Sequence, residues 1–246
     1  MRNYLLALVC LCLTVQAGEL KKSVIDGVTY HLVSCKSSCV RVVWKDEQQK
    51  QMRSFPEVAA YFARQKIELE LLMNGGIFEP GGIPSGLLIQ QGKELQPVNR
   101  NAGEGNFFLQ PNGIFLIGSQ GAAVMATSEY PPKDPTIHYA VQSGPLLLRN
   151  NKVHPVFRAE SSSRLHRNGI GVTRKGEIVL AMTDFRSAKF PNLYEFAVMF
   201  RGLDCADALF LDGDISQMKT GAAMLQPSNQ FGSIIAVTQQ ESNVKK

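Results

Sequence analysis

Past residue 17 the chain has no apolar run near the roughly 20 residues that a membrane-spanning helix needs, so no span is expected in the mature protein. Basic runs are missing too: the 26 lysines and arginines are scattered among 21 acidic residues, and a nucleic-acid partner is not indicated. Neither a Gly-x-Ser-x-Gly elbow nor a His-Glu-x-x-His pair occurs, which sets aside the usual α/β-hydrolase and zinc-peptidase solutions. Cysteine is scarce, and without a second ligand pair Cys35 and Cys39 do not read as a zinc site. No internal repeat or low-complexity linker divides the chain, so residues 18–246 are expected to form one domain. Nothing in the sequence speaks to the oligomeric state.

What is there begins with a leader. Arg2, the apolar stretch from Tyr4 to Val15 and the small-residue site Val15-Gln16-Ala17 have the layout of a cleaved secretory signal over residues 1–17. An exported protein, periplasmic or extracellular, is the expectation. In an oxidising compartment Cys35 and Cys39 would pair across Lys36-Ser37-Ser38, leaving Cys205 as a small buried hydrophobe.

The full chain is 44% hydrophobic, ample for a core. Residues 24–33 and 39–44 are β-rich and read as a hairpin. Ser54-Phe55-Pro56-Glu57 has a capping box with proline in the first turn and predicts a helix to about Gln65. Asn192-Leu193-Tyr194-Glu195 starts a second helix that ends near Gly202. Strands are expected at 67–73, 86–90, 107–110, 114–118, 139–142, 146–149, 152–154, 169–173, 178–182, 206–211 and 233–238. Pro111-Asn112-Gly113, Asn150-Asn151 and Arg174-Lys175-Gly176 read as hairpin turns. Helices are few and no strict β-α-β alternation appears. The expected fold class is therefore α+β: a single domain with a mixed, largely antiparallel β-sheet core.

Four of these strands end abruptly in polar or glycine tips: Asn74-Gly75-Gly76, Ser143-Gly144-Pro145, Thr183-Asp184 and Asp212-Gly213-Asp214. One scaffold collecting polar groups in a common cleft accounts for the pattern. Asp184 and Asp212 are suited to the paired carboxyls of a glycosidase, and equally to capping turns after strands. Asp212 with Asp214 makes a poor cation cage without more oxygens. Arg164-Leu165-His166-Arg167 is the densest basic cluster of this half and would suit an anionic substrate. Ser216-Gln217-Met218-Lys219 and Lys219-Thr220-Gly221 match two penicillin-binding motifs, but both use one lysine, which marks the match as chance.

In order and spacing, Asn74-Gly75-Gly76-Ile77-Phe78, Ser143-Gly144-Pro145-Leu146, Arg167-Asn168-Gly169-Ile170-Gly171, Thr183-Asp184 and Leu211-Asp212-Gly213-Asp214-Ile215-Ser216 resemble the phosphodiester glycosidase family. The resemblance implies hydrolysis of a sugar-1-phosphodiester of the N-acetylglucosamine-1-phosphate type, with a phosphorylated glycan or sugar-phosphodiester as substrate and no cofactor or metal. It makes Asp212, Asp184 and Arg167 the catalytic set. Asn74, Gly75, Gly76, Ser143, Gly144, Arg164, His166 and Ser216 become substrate contacts: Arg167 on the phosphate with help from Arg164 or His166, and the 74–76 amides on oxygen atoms. Asp214 and Ile215 replace two family glycines. The rival expectation is a non-catalytic envelope protein that binds anionic glycan through the same cleft.

Overall fold

Two consecutive residues with positive φ, Asp26 at 50° and Gly27 at 79°, make a tight turn that splits the first β-rich run. The computed structural model, which describes residue 18 and residues 20–239, places β1 (Lys21–Ile25) and β2 (Val28–Cys35) antiparallel on either side of it. The expected leader lies outside the described residues. A 3-10 turn over Ser37–Cys39 then leads to β3 (Val40–Val43).

In chain order there follow α1 (Phe55–Arg64), β4 (Leu69–Asn74), β5 (Phe78–Glu79), β6 (Ile83–Pro84), β7 (Leu88–Gln90) and β8 (Lys93–Gln96). The middle of the chain holds β9 (Gly113–Gly118), β10 (Gly121–Ala126), β11 (Ile137–Ser143), β12 (Leu146–Arg149) and β13 (Lys152–Val153). The last third holds β14 (Asn168–Thr173), β15 (Ile178–Thr183), α2 (Leu193–Gly202), β16 (Cys205–Phe210), β17 (Met218–Thr220) and β18 (Ile234–Thr238). They build a seven-stranded sheet (β1-β2-β15-β14-β16-β12-β13), a five-stranded sheet (β10-β9-β11-β7-β8), a four-stranded sheet (β17-β4-β18-β3) and the small β5-β6 ribbon. The α+β expectation holds, and the pairings that order these sheets are antiparallel.

The sheets share one central core. Val33, Leu180, Ile170 and Leu209 of the seven-stranded sheet meet Leu71, Ile235 and Val42 of the four-stranded sheet and Phe115 and Val141 of the five-stranded one. The helices cover outer faces. Phe55, Val58 and Phe62 of α1 pack on Leu72, Ile234 and Ala236, while Phe196 and Phe200 of α2 pack on Val179, Ala181 and Ala208. Gly171 is glycine because α2 comes so close: a Cβ there would stand 2.8 Å from a Phe200 ring carbon. Both helices start as expected, with the Glu57 carboxylate accepting from Ser54 N–H at 3.0 Å and Asn192 Oδ1 accepting from Glu195 N–H at 2.9 Å.

Three expectations need correction. Residues 24–33 and 39–44 form no hairpin: β2 pairs with β15, while β3 pairs with β18 in another sheet. Cys35, Cys39, Val40 and Val42 all face the central core, so the 3-10 turn carries the chain across that core instead of back along it. Cys35 and Cys39 are not bridged. Both are buried free thiols, as is Cys205, and burial pushes the Cys35 thiol up to about 12. Finally, residues 107–110 are no strand but begin in a 3-10 turn over Asn106–Phe108. Asn112 there donates to the Phe107 carbonyl at 2.8 Å, so Pro111-Asn112-Gly113 closes a loop on itself and not a hairpin.

Candidate functional site

Register brings the polar tips to one rim. Met182 stands opposite Asn168, Gly169 opposite Phe210, and Phe210 N–H reaches the Pro145 carbonyl at 3.1 Å, so the tips of β15, β14, β16 and β12 lie in one row. Asn74, at the end of β4, joins that row to the four-stranded sheet. Its Nδ2 donates to the Asp212 carbonyl at 2.9 Å, and its Oδ1 accepts from Gln217 N–H at 2.9 Å and from Asn168 Nδ2 at 3.0 Å. Asn74 is therefore the brace of the 212–217 loop. Its side chain is spent on protein.

The neighbouring glycines serve the same close assembly. Gly75 N–H donates to the Ser233 carbonyl at 2.9 Å and Asn74 N–H to Gln217 O at 3.2 Å, so two of the three amides expected to hold substrate are committed to the fold. A Cβ on Gly76 would lie 2.8 Å from the Gln142 carbonyl and 3.3 Å from Ser143 Cβ, which is how β4 and β11 bring their tips together. Ser143 Oγ accepts from Ile77 N–H at 3.4 Å, and Gly144 precedes a cis peptide with Pro145. Ser216 Oγ donates to the Gly213 carbonyl at 2.7 Å, so it locks its own loop and is not presented to a ligand.

Against this braced frame two charged groups stand out. The Asp212 carboxyl has no partner among the described residues. Burial first, and Asp214 second, push it up to about 6. Among the described residues Arg167 is the largest fully buried side chain, 2% exposed, and it faces no carboxylate within ion-pair distance. Its Nη2 donates to the Ser163 carbonyl at 3.0 Å and its Nε to Pro191 O at 3.4 Å, and the guanidinium lies over the Phe210 ring at 5.5 Å. Burial lowers it to about 10, against the fields of Asp214 and Tyr30, so it is charged at neutral pH. It lines a pocket of about 210 Å³ with Arg158, Ser161, Ser163 and Tyr194. The two groups are linked through the backbone: a Cβ on Gly213 would stand 2.7 Å from the His166 carbonyl.

Asp184 is in a different state. Lys22 Nζ at 2.7 Å and the Arg186 N–H at 2.7 Å, with His31 Nε2 at 3.2 Å, hold its pKa down at about 2. A carboxylate so paired is a fixed anion and a poor proton carrier. It lines a cleft of about 550 Å³ with Lys22, His31, Phe185, Arg186 and Gln217.

The basic cluster divides as well. Arg164 forks onto Glu195 at the start of α2, so it braces the helix instead of reaching for a ligand. His166 turns its ring onto Phe185 and buries both nitrogens without partners. Sequence reasoning missed Asn168, although it lies inside a quoted motif. It also missed Lys22 and His31, whose link to Asp184 depends on the β2–β15 pairing and leaves no local signal. No group of three or more His, Cys, Asp or Glu side chains among the described residues is placed to hold a metal ion.

The phosphodiester glycosidase family model matches residues 68–237. An uncharacterised Escherichia coli protein, YigE, is 32% identical over 172 residues, 69% of this chain and 66% of that protein, so the chain spans just under two thirds of that relative's length. The zebrafish N-acetylglucosamine-1-phosphodiester α-N-acetylglucosaminidase catalytic domain, auto-inhibited by its pro-peptide, superposes with a TM-score of 0.64 at 15% identity, covering 89% of this chain and 81% of that one. A hypothetical protein from Synechocystis does so with a TM-score of 0.53 at 15% identity, over 89% and 61% of the two chains. At such identities the structural likeness speaks for the fold. The family match runs from the residue before β4 nearly to the end of β18 and takes in Asn74, Arg167, Asp184 and Asp212, so the chain belongs to the phosphodiester glycosidase family.

Proposed function

We propose that this protein is a hydrolase that cleaves a sugar-1-phosphodiester, with Asp212 as the proton-transferring carboxyl and Arg167 as the phosphate grip. The observation that carries the reading is the Asp212 carboxyl, unpaired among the described residues and pushed up to about 6 in a loop that Asn74 and Ser216 hold in place. A group with that pKa is largely ionised at neutral pH and still basic enough to take a proton from water. The leaving group is a phosphate monoester, which needs charge stabilisation more than protonation. Arg167 supplies it from a buried position, where a cation acts more strongly than in solvent. Asp184, held ionised by Lys22, contributes a fixed negative field for the developing oxocarbenium character at the sugar.

The sugar we favour is N-acetylglucosamine, the one that names the zebrafish neighbour's substrate. The setting we favour is an envelope or extracellular glycan, reached by export through the leader. The test is release of N-acetylglucosamine from its aryl phosphodiester by the purified mature protein, with Asp212→Asn as control. Binding of the phosphodiester without turnover would replace this reading with the anionic-glycan binder.

A further inference from the structure

One wall of the Asp184 cleft is an open aromatic ring that the mechanism above does not use. Phe185 is 59% exposed, and it is the aromatic residue among the exposed large hydrophobic side chains described. A single such ring is no protein-docking patch, yet it sits in the cleft wall beside Asp184, Arg186 and Gln217. One of its faces is already occupied. The His166 imidazole stacks on it with centroids 3.8 Å apart and planes at 26°, and Phe190 packs on the same imidazole at 4.8 Å.

That imidazole is held at a cost. Both of its nitrogens are buried and unpartnered, and leaving such groups dry and unpaired is unfavourable. Burial also lowers its pKa although Asp184 pulls the other way, so the ring is kept neutral and apolar in character. What His166 provides here is a flat surface. Its backbone is wedged against Gly213, and the next residue is Arg167, so the Phe185–His166 stack is fastened to both charged groups of the candidate site.

We propose that Phe185 is a sugar-stacking platform: its open face receives the C–H face of a pyranose lying in the cleft, and His166 is the positioning residue that fixes the ring. The inference rests on the sugar-phosphodiester reading and adds how the sugar is held. A pyranose offers one face of axial C–H groups to the negative face of an aromatic ring, while its hydroxyls are left for polar neighbours. The cleft supplies those neighbours in Lys22, His31, Arg186 and Gln217.

The test uses the full mature chain and two readouts. In steady-state kinetics on the aryl phosphodiester of N-acetylglucosamine, Phe185→Ala should raise KM about tenfold with kcat changed less than threefold. His166→Ala should do the same, and His166→Phe, which restores a flat ring without nitrogens, should recover most of the lost KM. If His166→Phe is as poor as His166→Ala, or if His166→Ala lowers kcat at unchanged KM, the nitrogens are in use and the positioning role is wrong. The second readout does not need turnover. Phe185→Trp keeps a platform and reports on it, so adding N-acetylglucosamine or N-acetylglucosamine-1-phosphate should change the fluorescence of the introduced indole. Sugar-dependent fluorescence without hydrolysis by the parent protein would remove the proposed function and leave the platform standing. Hydrolysis with an unchanged KM in Phe185→Ala and no fluorescence response would remove the platform alone.

Discussion

Replacing Asp212 by asparagine should make the protein more stable and nearly inactive, and the gain should depend on pH in a way no simple turn cap reproduces. The carboxyl moves from 3.8 to about 6 on folding, chiefly because it is buried. The folded state thus holds this proton more tightly than the unfolded chain. The site's contribution is fully favourable below about pH 4 and is lost as pH rises through about 6. At about 1.4 kcal/mol for each tenfold change in proton affinity, the ionised carboxylate costs the folded state about 3 kcal/mol at pH 8. Water reaching a half-buried group screens part of that, leaving roughly 1–2 kcal/mol. Asparagine carries no charge at any pH. Relative to its value at pH 4, the stability of Asp212→Asn over the parent should therefore grow by about 1–2 kcal/mol by pH 8, or about 3–6 °C in Tm for a chain of this size. Turnover should meanwhile fall by about two orders of magnitude or more. Urea titrations at pH 4, 6 and 8 with parallel assays measure both. A stability difference that stays flat from pH 4 to 8, or turnover that survives, would refute the argument that Asp212 is a strained, reactive carboxyl.

Further outcomes are expected. Asp214→Asn removes the second cause of the raised Asp212 pKa, so the acidic limb of the kcat/KM profile should move to lower pH; an unmoved limb would assign it to another group. Arg167→Lys keeps the charge but loses the fork onto Ser163 O and Pro191 O, so activity on sugar-1-phosphodiesters should fall about a hundredfold and that on neutral aryl glycosides much less, whereas equal losses would take Arg167 off the phosphate. Asn74→Ala strands the partners of three side-chain hydrogen bonds in the buried rim and should cost about 3 kcal/mol in denaturant titrations; a loss below about 1 kcal/mol would deny it the role of brace. Intact mass of protein from a secreting host should place the start at or near Gly18, and alkylation after unfolding without reductant should find Cys35, Cys39 and Cys205 all free, where recovery of Cys205 alone would restore the bridge that export suggests.

How far the sequence foretells the structure depends on the range of the signal. The helices follow from contacts within four residues, the Ser54–Glu57 and Asn192–Glu195 caps, and both start where expected. The β12–β13 and β14–β15 hairpins follow from their turns, where Asn150, Asn151 and Gly176 take positive φ. β10 escaped notice because Ala122, Ala123 and Ala126 have little strand preference of their own; six-residue pairing with β9 makes the strand. Residues 24–44 misled because a β-rich run, a short polar break and a second β-rich run look alike whether the chain doubles back or crosses to another sheet. The site divides in the same way. Asn74, Arg167 and Asp212 were marked by strand tips, but the difference between a paired Asp184 and an unpaired Asp212 rests on Lys22, which reaches Asp184 from the far end of the chain.

The motifs most visible in the sequence turn out to describe the frame, and the chemistry lies in what the frame leaves unpaired. Asn-Gly-Gly, Gly-Pro and the Asp-Gly turn recur where chain segments approach too closely for a side chain or where an amide must bond three ways, as at Gly76, Gly213 and Asn74. The hydrogen bonds of Asn74, Gly75 and Ser216 hold the rim in place. In such surroundings a carboxyl without a donor and a guanidinium without a carboxylate are each far from their comfortable states, and that is the condition in which they act on a substrate with the least rearrangement. Asp214 stands where the family resemblance expects a glycine. Asp214 is exposed and its field reaches both Asp212 and Arg167, so a change at that position retunes the two reactive groups without disturbing the hydrogen bonds that hold them.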